Sequence, residues 1–147
     1  MVQPIIVRPY KRTAYRSFID TMRADVVTAK NIGDRAETAA AAFLARNGHV
    51  ILARNIVTRY GELDIVSWDR ARDTLAFIEV KYRSREDYGR ALDAVNTAKQ
   101  RRIIRAAQVY LRQQKKRFSA YRFDVIAVAP DGSVQHVCNA FSVPTEF

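Results

Sequence analysis

Gly61-Glu62-Leu63-Asp64-Ile65-Val66-Ser67-Trp68 and Thr74-Leu75-Ala76-Phe77-Ile78-Glu79-Val80-Lys81-Tyr82-Arg83 are the two stretches that decide the fold. Both read as strands, and the polar link from Asp69 to Asp73 joins them as a hairpin. Residues two apart on a strand share a face. Leu75, Phe77 and Glu79 therefore lie on one side of the second strand, and Ala76, Ile78 and Val80 on the other. A strand that is apolar on both sides belongs at the centre of a sheet, where charges need a reason. A hairpin centred between Ala71 and Arg72 sets Asp64 directly opposite Glu79, because both are equally far from that centre. Opposed Cβ atoms stand about 4.5–5.5 Å apart, close enough for both carboxylates to hold one ion.

Working outward, Asp34 to Asn47 predicts a helix. Asp34 is placed as its N-cap with Glu37 three residues later, and Asn47-Gly48 as its stop. Ala36, Ala40, Phe43 and Leu44 form its apolar stripe. Residues 49–56 predict a strand, and Tyr60-Gly61 a turn. Gly89 closes a polar loop. Ala91 to about Gln114 predicts a second helix, with a break near Asn96-Thr97. Tyr121 to Val128 is a strand, Pro130-Asp131-Gly132 a turn, and Val134 to Cys138 a short last strand. Helix, three strands, helix and two strands make an α/β domain with a mixed central sheet flanked by helices.

The facing carboxylates offer oxygen ligands only, which suits Mg²⁺ or Mn²⁺. Phosphodiester hydrolysis asks for such a site: the metal polarises a phosphoryl oxygen and acidifies a water. Lys81 shares a face with Glu79 and is placed to orient the attacking water and offset transition-state charge. The competing view is a hairpin whose charges are simply solvated. Glu37 has two readings, a capping residue or an additional acid reaching the site from beside the buried stripe. Lys99 lies near the apolar face of the second helix. It either points at the site or runs its stem along the core and frees its ammonium to water. Arg101, Arg105, Gln108 and Arg112 form one stripe on that helix. With no carboxylate among them, phosphate contact explains the stripe better than a solvated face does. Tyr60, Tyr82 and Tyr88 are placed either to stack on splayed bases or to pack at the rim. Asp124 is expected to pair structurally with Arg122 or Lys99. His49, His136 and Cys138 are expected to pack rather than ligate.

The charge balance agrees with a polyanionic partner. Across 147 residues, 25 Lys+Arg oppose 15 Asp+Glu, a net of +10, and a field of that sign favours nucleic acid or an anionic surface. No apolar run approaches the roughly 18–20 residues of a membrane span, so no membrane association is expected. One cysteine excludes an internal disulfide and fits a reducing, cytoplasmic compartment. Two histidines and one cysteine cannot build a zinc finger. Residues 1–30 carry six basic and two acidic residues and read as a basic arm or an extra docked helix over 17–29. Asp20 and Asp25 argue against a transit peptide. Residues 31–147 form the main domain. Lys99 to Arg122 is the most basic part, with nine Lys/Arg and no acid.

Gly33, Glu37, Leu44, Gly48, Arg54-Asn55, the Gly61–Asp64 and Phe77–Arg83 runs, Lys99 and Arg122–Val125 together closely resemble the YraN-type family of uncharacterised bacterial proteins. That family resembles a branch of the restriction-endonuclease-like PD-(D/E)xK superfamily, close to archaeal Holliday-junction resolvases. The resemblance covers about residues 31–141. It implies an αβββαβ core, with Asp64 as the motif aspartate, Glu79 the second acid, Lys81 the motif lysine and Glu37 the first-helix glutamate. Leu63 stands where the superfamily motif has proline. On this basis the catalytic candidates are Asp64, Glu79, Lys81 and Glu37, with Asp64 and Glu79 as metal ligands. Arg83, Lys99, Arg101, Arg105 and Arg112 are the nucleic-acid-binding candidates. The expected function is a metal-dependent endonuclease for branched or flap DNA, with DNA ahead of RNA as the partner. A resolvase cutting two strands symmetrically implies a homodimer. The alternatives are a nucleic-acid-binding accessory module with a vestigial metal site, and a basic protein for a membrane or an acidic partner.

Overall fold

The computed structural model describes residues 29–83 and 95–145. Helix α1 (Ala29–Arg46) is followed by β1 (His49–Thr58), β2 (Gly61–Asp69) and β3 (Thr74–Tyr82). Helix α2 (Thr97–Gln113), β4 (Ala120–Val128) and β5 (Val134–Phe141) complete the order. The expected αβββαβ core is present, with β5 added. The basic arm or docked helix expected over 1–30 lies outside the described residues except for Ala29 and Lys30, as do Tyr88, the Gly89 loop and residues 91–94.

The five strands form one sheet in the order β1-β2-β3-β4-β5. β3 is central, as its two apolar faces require. β1, β2 and β3 are joined by tight antiparallel connections. β3 and β4 run parallel, and a parallel pair needs a crossover, which the segment containing α2 provides. The β2–β3 register pairs Ile65 with Ile78 and Asp69 with Thr74, the same centre that the hairpin arithmetic predicts.

Each helix covers one face. On the first, Ala36, Ala40, Ala41 and Leu44 of α1 bury against Ile65, Ala76, Ile78, Ile126 and Val128. Alanine is the best helix former, and its small side chain lets the helix approach the sheet closely. On the second, Ile103, Ile104, Ala107 and Tyr110 of α2 bury against Val66, Leu75, Phe77, Phe123 and Val125. Phe77 stacks on Phe123 at 5.6 Å and meets Tyr110 edge-on at 5.9 Å.

The helix starts differ from expectation. α1 already includes Ala29, so Asp34 sits inside it and cannot be its N-cap. Its carbonyl instead accepts from Thr38 Oγ1 at 2.8 Å. This removes the capping role for Glu37. The stop is as expected, with Gly48 at φ 84°, a conformation glycine takes without a Cβ penalty. For α2, Asn96 is the N-cap and its side chain accepts the Lys99 amide at 2.9 Å. The break expected near Asn96-Thr97 is thus the point where α2 begins.

Candidate active site at the fork of the sheet

The sheet splits along β2 and β3. Pairing of β1 with β2 continues to Thr58–Gly61, and β3 stays with β4 to Tyr82–Val128. Between the two halves, however, the ladder ends at Ile65–Ile78. One residue further, Asp64 Oδ2 accepts the Val80 amide at 2.8 Å. A side chain has replaced the backbone partner, and the strands part around it.

By strand alternation Glu79 lies with Phe77 on the α2 face of the sheet. It is 3% exposed. Two ammonium groups meet its Oε1, Lys81 Nζ at 2.7 Å and Lys99 Nζ at 3.1 Å. Lys99 therefore points into the site from the first turn of α2. That helix end adds its own partial positive charge. Asp64 has no such ammonium pair. Burial, reinforced by the Glu79 charge, pushes its carboxyl up from 3.8 to about 7, against the opposing Val80 hydrogen bond. Glu37 also raises it, so this acid on α1 is felt through the fork.

Glu37 has its own imbalance. Burial raises its pKa, while Arg54 and Asn55 pull it down. The nearest Arg54 nitrogen is 3.7 Å from Glu37 Oε2, too far for a hydrogen bond. Glu37 Oε2 and Arg54 Nε are buried without hydrogen-bond partners. Asn55 sits at φ 51°, the left-handed region that asparagine tolerates better than most residues. Arg54 and Asn55 were not among the site candidates. An arginine–asparagine pair inside an otherwise apolar strand is the sequence signal for them.

Asp64, Glu79 and Glu37 are the residues here that could hold a divalent cation, although the one group of three donors gathered within 4.8 Å among the described residues is Asp124, His136 and Cys138. The acids supply hard oxygen ligands. Glu37 has a buried oxygen with no hydrogen-bond partner, and burial beside Glu79 makes Asp64 resist ionisation even though Lys99 favours it. Both deficits are of the kind a cation corrects.

The basic stripe lies where the helical period places it. Arg101, Arg105, Gln108 and Arg112 are exposed, while Ile103, Ala107 and Tyr110 are buried. Arg83 follows β3 and is half-buried; its guanidinium reaches Tyr82 O at 3.5 Å. Tyr82 is 41% exposed.

A second polar cluster lies on the α1 face. Arg122 bridges Asp69 and Asp124, each at 3.0 Å. His136 Nε2 is 2.8 Å from Asp124, and the Asn139 amide donates to Asp124 at 2.8 Å. His49 Nδ1 is 2.9 Å from Ser67 Oγ. Asp124 thus pairs with Arg122, as expected, and not with Lys99. Cys138 is exposed rather than packed, with Sγ 3.6 Å from His136 Nε2. Donor atoms of Asp124, His136 and Cys138 lie within 4.8 Å of one another. Both Asp124 oxygens already accept from Arg122, so its charge is met within the protein.

Fold and site together define a mixed α/β domain with carboxylates and lysines gathered where its central sheet divides. Residues 36–128 match the uncharacterised protein family UPF0102, and the chain belongs to that family. A UPF0102 protein of Syntrophotalea carbinolica is 46% identical over 116 residues, covering 77% of this chain and 93% of the relative. One from Vibrio parahaemolyticus is 39% identical over 115 residues, covering 77% and 93%. One from Dictyoglomus turgidum is 36% identical over 117 residues, covering 76% and 98%. The matched region includes every candidate site residue. No helix among the described residues is long and apolar enough to cross a membrane.

Proposed function

We propose that this protein is a Mg²⁺- or Mn²⁺-dependent DNA endonuclease of the PD-(D/E)xK kind, acting on branched or flap DNA. One observation carries the reading: where the sheet forks, buried Glu79 pairs with Lys81, and half-buried Asp64 accepts the amide of Val80 that lies between them in sequence. Asp64 and Glu79 would hold the metal, with Glu37 as a further acid. The bound metal supplies polarisation of the phosphoryl oxygen and a more acidic water. Lys81 orients that water and offsets charge in the transition state. Lys99 pairs with Glu79 and adds a second positive charge for the phosphate. The arginine stripe on α2 holds the DNA backbone.

The deciding assay incubates the purified full chain with junction, flap, single-stranded and linear DNA and either Mg²⁺ or Mn²⁺. Cleavage is expected in wild type and lost in Asp64→Ala and Glu79→Ala. Cleavage that survives both substitutions overturns the site.

A second reading, a DNA-binding accessory module with a vestigial site, has its own support. Lys81 and Lys99 already neutralise Glu79, which is how a closed ion-pair site looks. It predicts DNA binding in EDTA with no cleavage under any metal.

A further inference from the structure

We propose that the cleft between the β1–β2 turn and α2 takes an unpaired nucleotide of the DNA, its base on Tyr60 and its phosphates on Arg105 and Arg112. The cleft measures about 400 Å³ and is lined by Tyr60, Arg105, Gln108, Val109 and Arg112. That volume lies within the range of small-ligand sites. Its lining has the components a nucleotide needs: an aromatic ring, two guanidinium groups, an amide and an apolar wall.

The charge there is one-sided. Arg59 lies 4.7 Å from the Tyr60 ring centroid and donates to its hydroxyl at 2.6 Å. Arg105 approaches the same ring at 5.8 Å. Among the described residues, Arg59, Arg105 and Arg112 make no ion pair with a carboxylate. Positive groups crowding an aromatic ring, with no counter-ion among the described residues, favour an anionic occupant that also presents a π-face.

Access selects the form of the DNA. Tyr60 is half-buried in a recess, whereas Arg101, Arg105 and Arg112 are exposed on the helix. A duplex keeps its bases stacked inside and offers the exposed stripe only phosphates. A base must leave its stack to reach an aromatic ring in a recess. Gln108 can then donate to or accept from the base edge. The turn lies tight against the helix: a Cβ added at Gly61 would stand 3.7 Å from Arg102 Cβ.

Position links the cleft to the fork. Tyr60 precedes Asp64 by four residues, so at most about 13 Å of strand separates them. That is the length of about four stacked nucleotides. Glu79 meets Lys99 of α2, so it faces the same side of the sheet as the cleft. An unpaired strand seated on Tyr60 therefore runs toward the acids. Placing the cut relative to the cleft rests on the nuclease reading, whereas binding in the cleft does not.

The test uses the full chain in EDTA, so that binding is read apart from cleavage. Single-stranded, flap and blunt duplex oligonucleotides of equal length are compared by fluorescence anisotropy. Tyr60→Ala is expected to weaken single-strand and flap binding by about 5- to 150-fold, the range for loss of one stacked base. Duplex affinity should change less than 2-fold, and Tyr60→Phe should bind like wild type. A 2-aminopurine in the single strand should be quenched by wild type and not by Tyr60→Ala. If Tyr60→Ala unfolds, Arg105→Glu combined with the 2-aminopurine readout replaces it, and quenching should again disappear. Equal losses on duplex and single strand, or unchanged quenching, overturn the proposal. A protein that passes these tests yet cuts nothing with metal overturns only the nuclease reading.

Discussion

Asp64 accepts the Val80 amide one residue past the last β2–β3 pair, so a single carboxylate both ends the ladder and opens the site. The arrangement is costly at neutral pH. Folded Asp64 keeps its proton to about 7, against 3.8 ordinarily. Between those values the folded chain binds more protons than the unfolded one, so stability falls as pH rises through that window. Asp64→Asn keeps an acceptor for Val80 and removes the charge. In EDTA at pH 8 the variant should be more stable by about 1–3 kcal/mol, with the gain gone by pH 3. Mg²⁺ should raise the melting temperature of wild type and leave the variant unmoved. Thermal melts across pH check both, and a less stable variant at pH 8 contradicts the charge argument.

Lys81 and Lys99 share one oxygen of Glu79, yet their expected roles differ. Lys81 lies on the acid-bearing strand and acts on the water. Lys81→Met should lower kcat by about 10²–10³-fold while DNA affinity stays within about 3-fold. Lys99 competes with the metal for Glu79. Lys99→Met should lower the Mg²⁺ concentration for half-maximal thermal stabilisation, even as cleavage slows. Titrations of Mg²⁺ against melting temperature read the first effect without any turnover. A higher Mg²⁺ requirement in Lys99→Met would mean that Lys99 organises the acids instead of competing for them.

Much of this was legible in the sequence, because period-2 patterning fixes register. The Ile65–Ile78 register follows from strand spacing and hairpin length, but the ladder ends there, so the opposed Asp64–Glu79 pair expected next does not form; the helical period places the arginine stripe outside. The fork was not legible. It depends on β1–β2 and β3–β4 pairing continuing where β2–β3 pairing stops, and single-strand patterns carry no information on relative ladder lengths. The capping box at Asp34–Glu37 misled for a related reason. A local motif competes with helix propensity upstream, and the Ala29–Gly33 segment is helical despite its glycine. Asn55 was missed because its left-handed backbone arises from the sheet geometry around it.

Arg54 is placed to tune Glu37, 3.7 Å from its Oε2. Burial raises the Glu37 pKa and Arg54 restrains it. Arg54→Ala should therefore let Glu37 hold its proton to still higher pH. The acid limb of the pH–rate profile should move upward, and kcat at pH 7 should fall by about 10- to 100-fold, the usual cost of losing a residue that supports a ligand. At high pH the rate should recover toward wild type. A uniform loss at every pH would assign Arg54 to folding or DNA contact instead.

Asp124 tests whether the second polar cluster is structural. It is fully buried. Burial opposes its charge, but His136, the Asn139 amide and Arg122 together hold its carboxyl below the ordinary value. A depressed carboxylate contributes stability that is present above its unfolded pKa and lost as pH falls through the folded one. Asp124→Ala leaves Arg122 with Asp69 alone and takes from His136 its carboxylate partner. The cost should be about 3–5 kcal/mol, read by urea unfolding at pH 7. As pH falls through that lowered pKa the gap to wild type should narrow, because the wild-type carboxylate is then protonated as well. Asp124 lies on the α1 face, away from Glu79 and the α2 stripe. Any Asp124→Ala protein that remains folded should therefore bind single-stranded DNA with wild-type affinity. A folded variant that loses DNA binding would move this cluster from scaffold to interface.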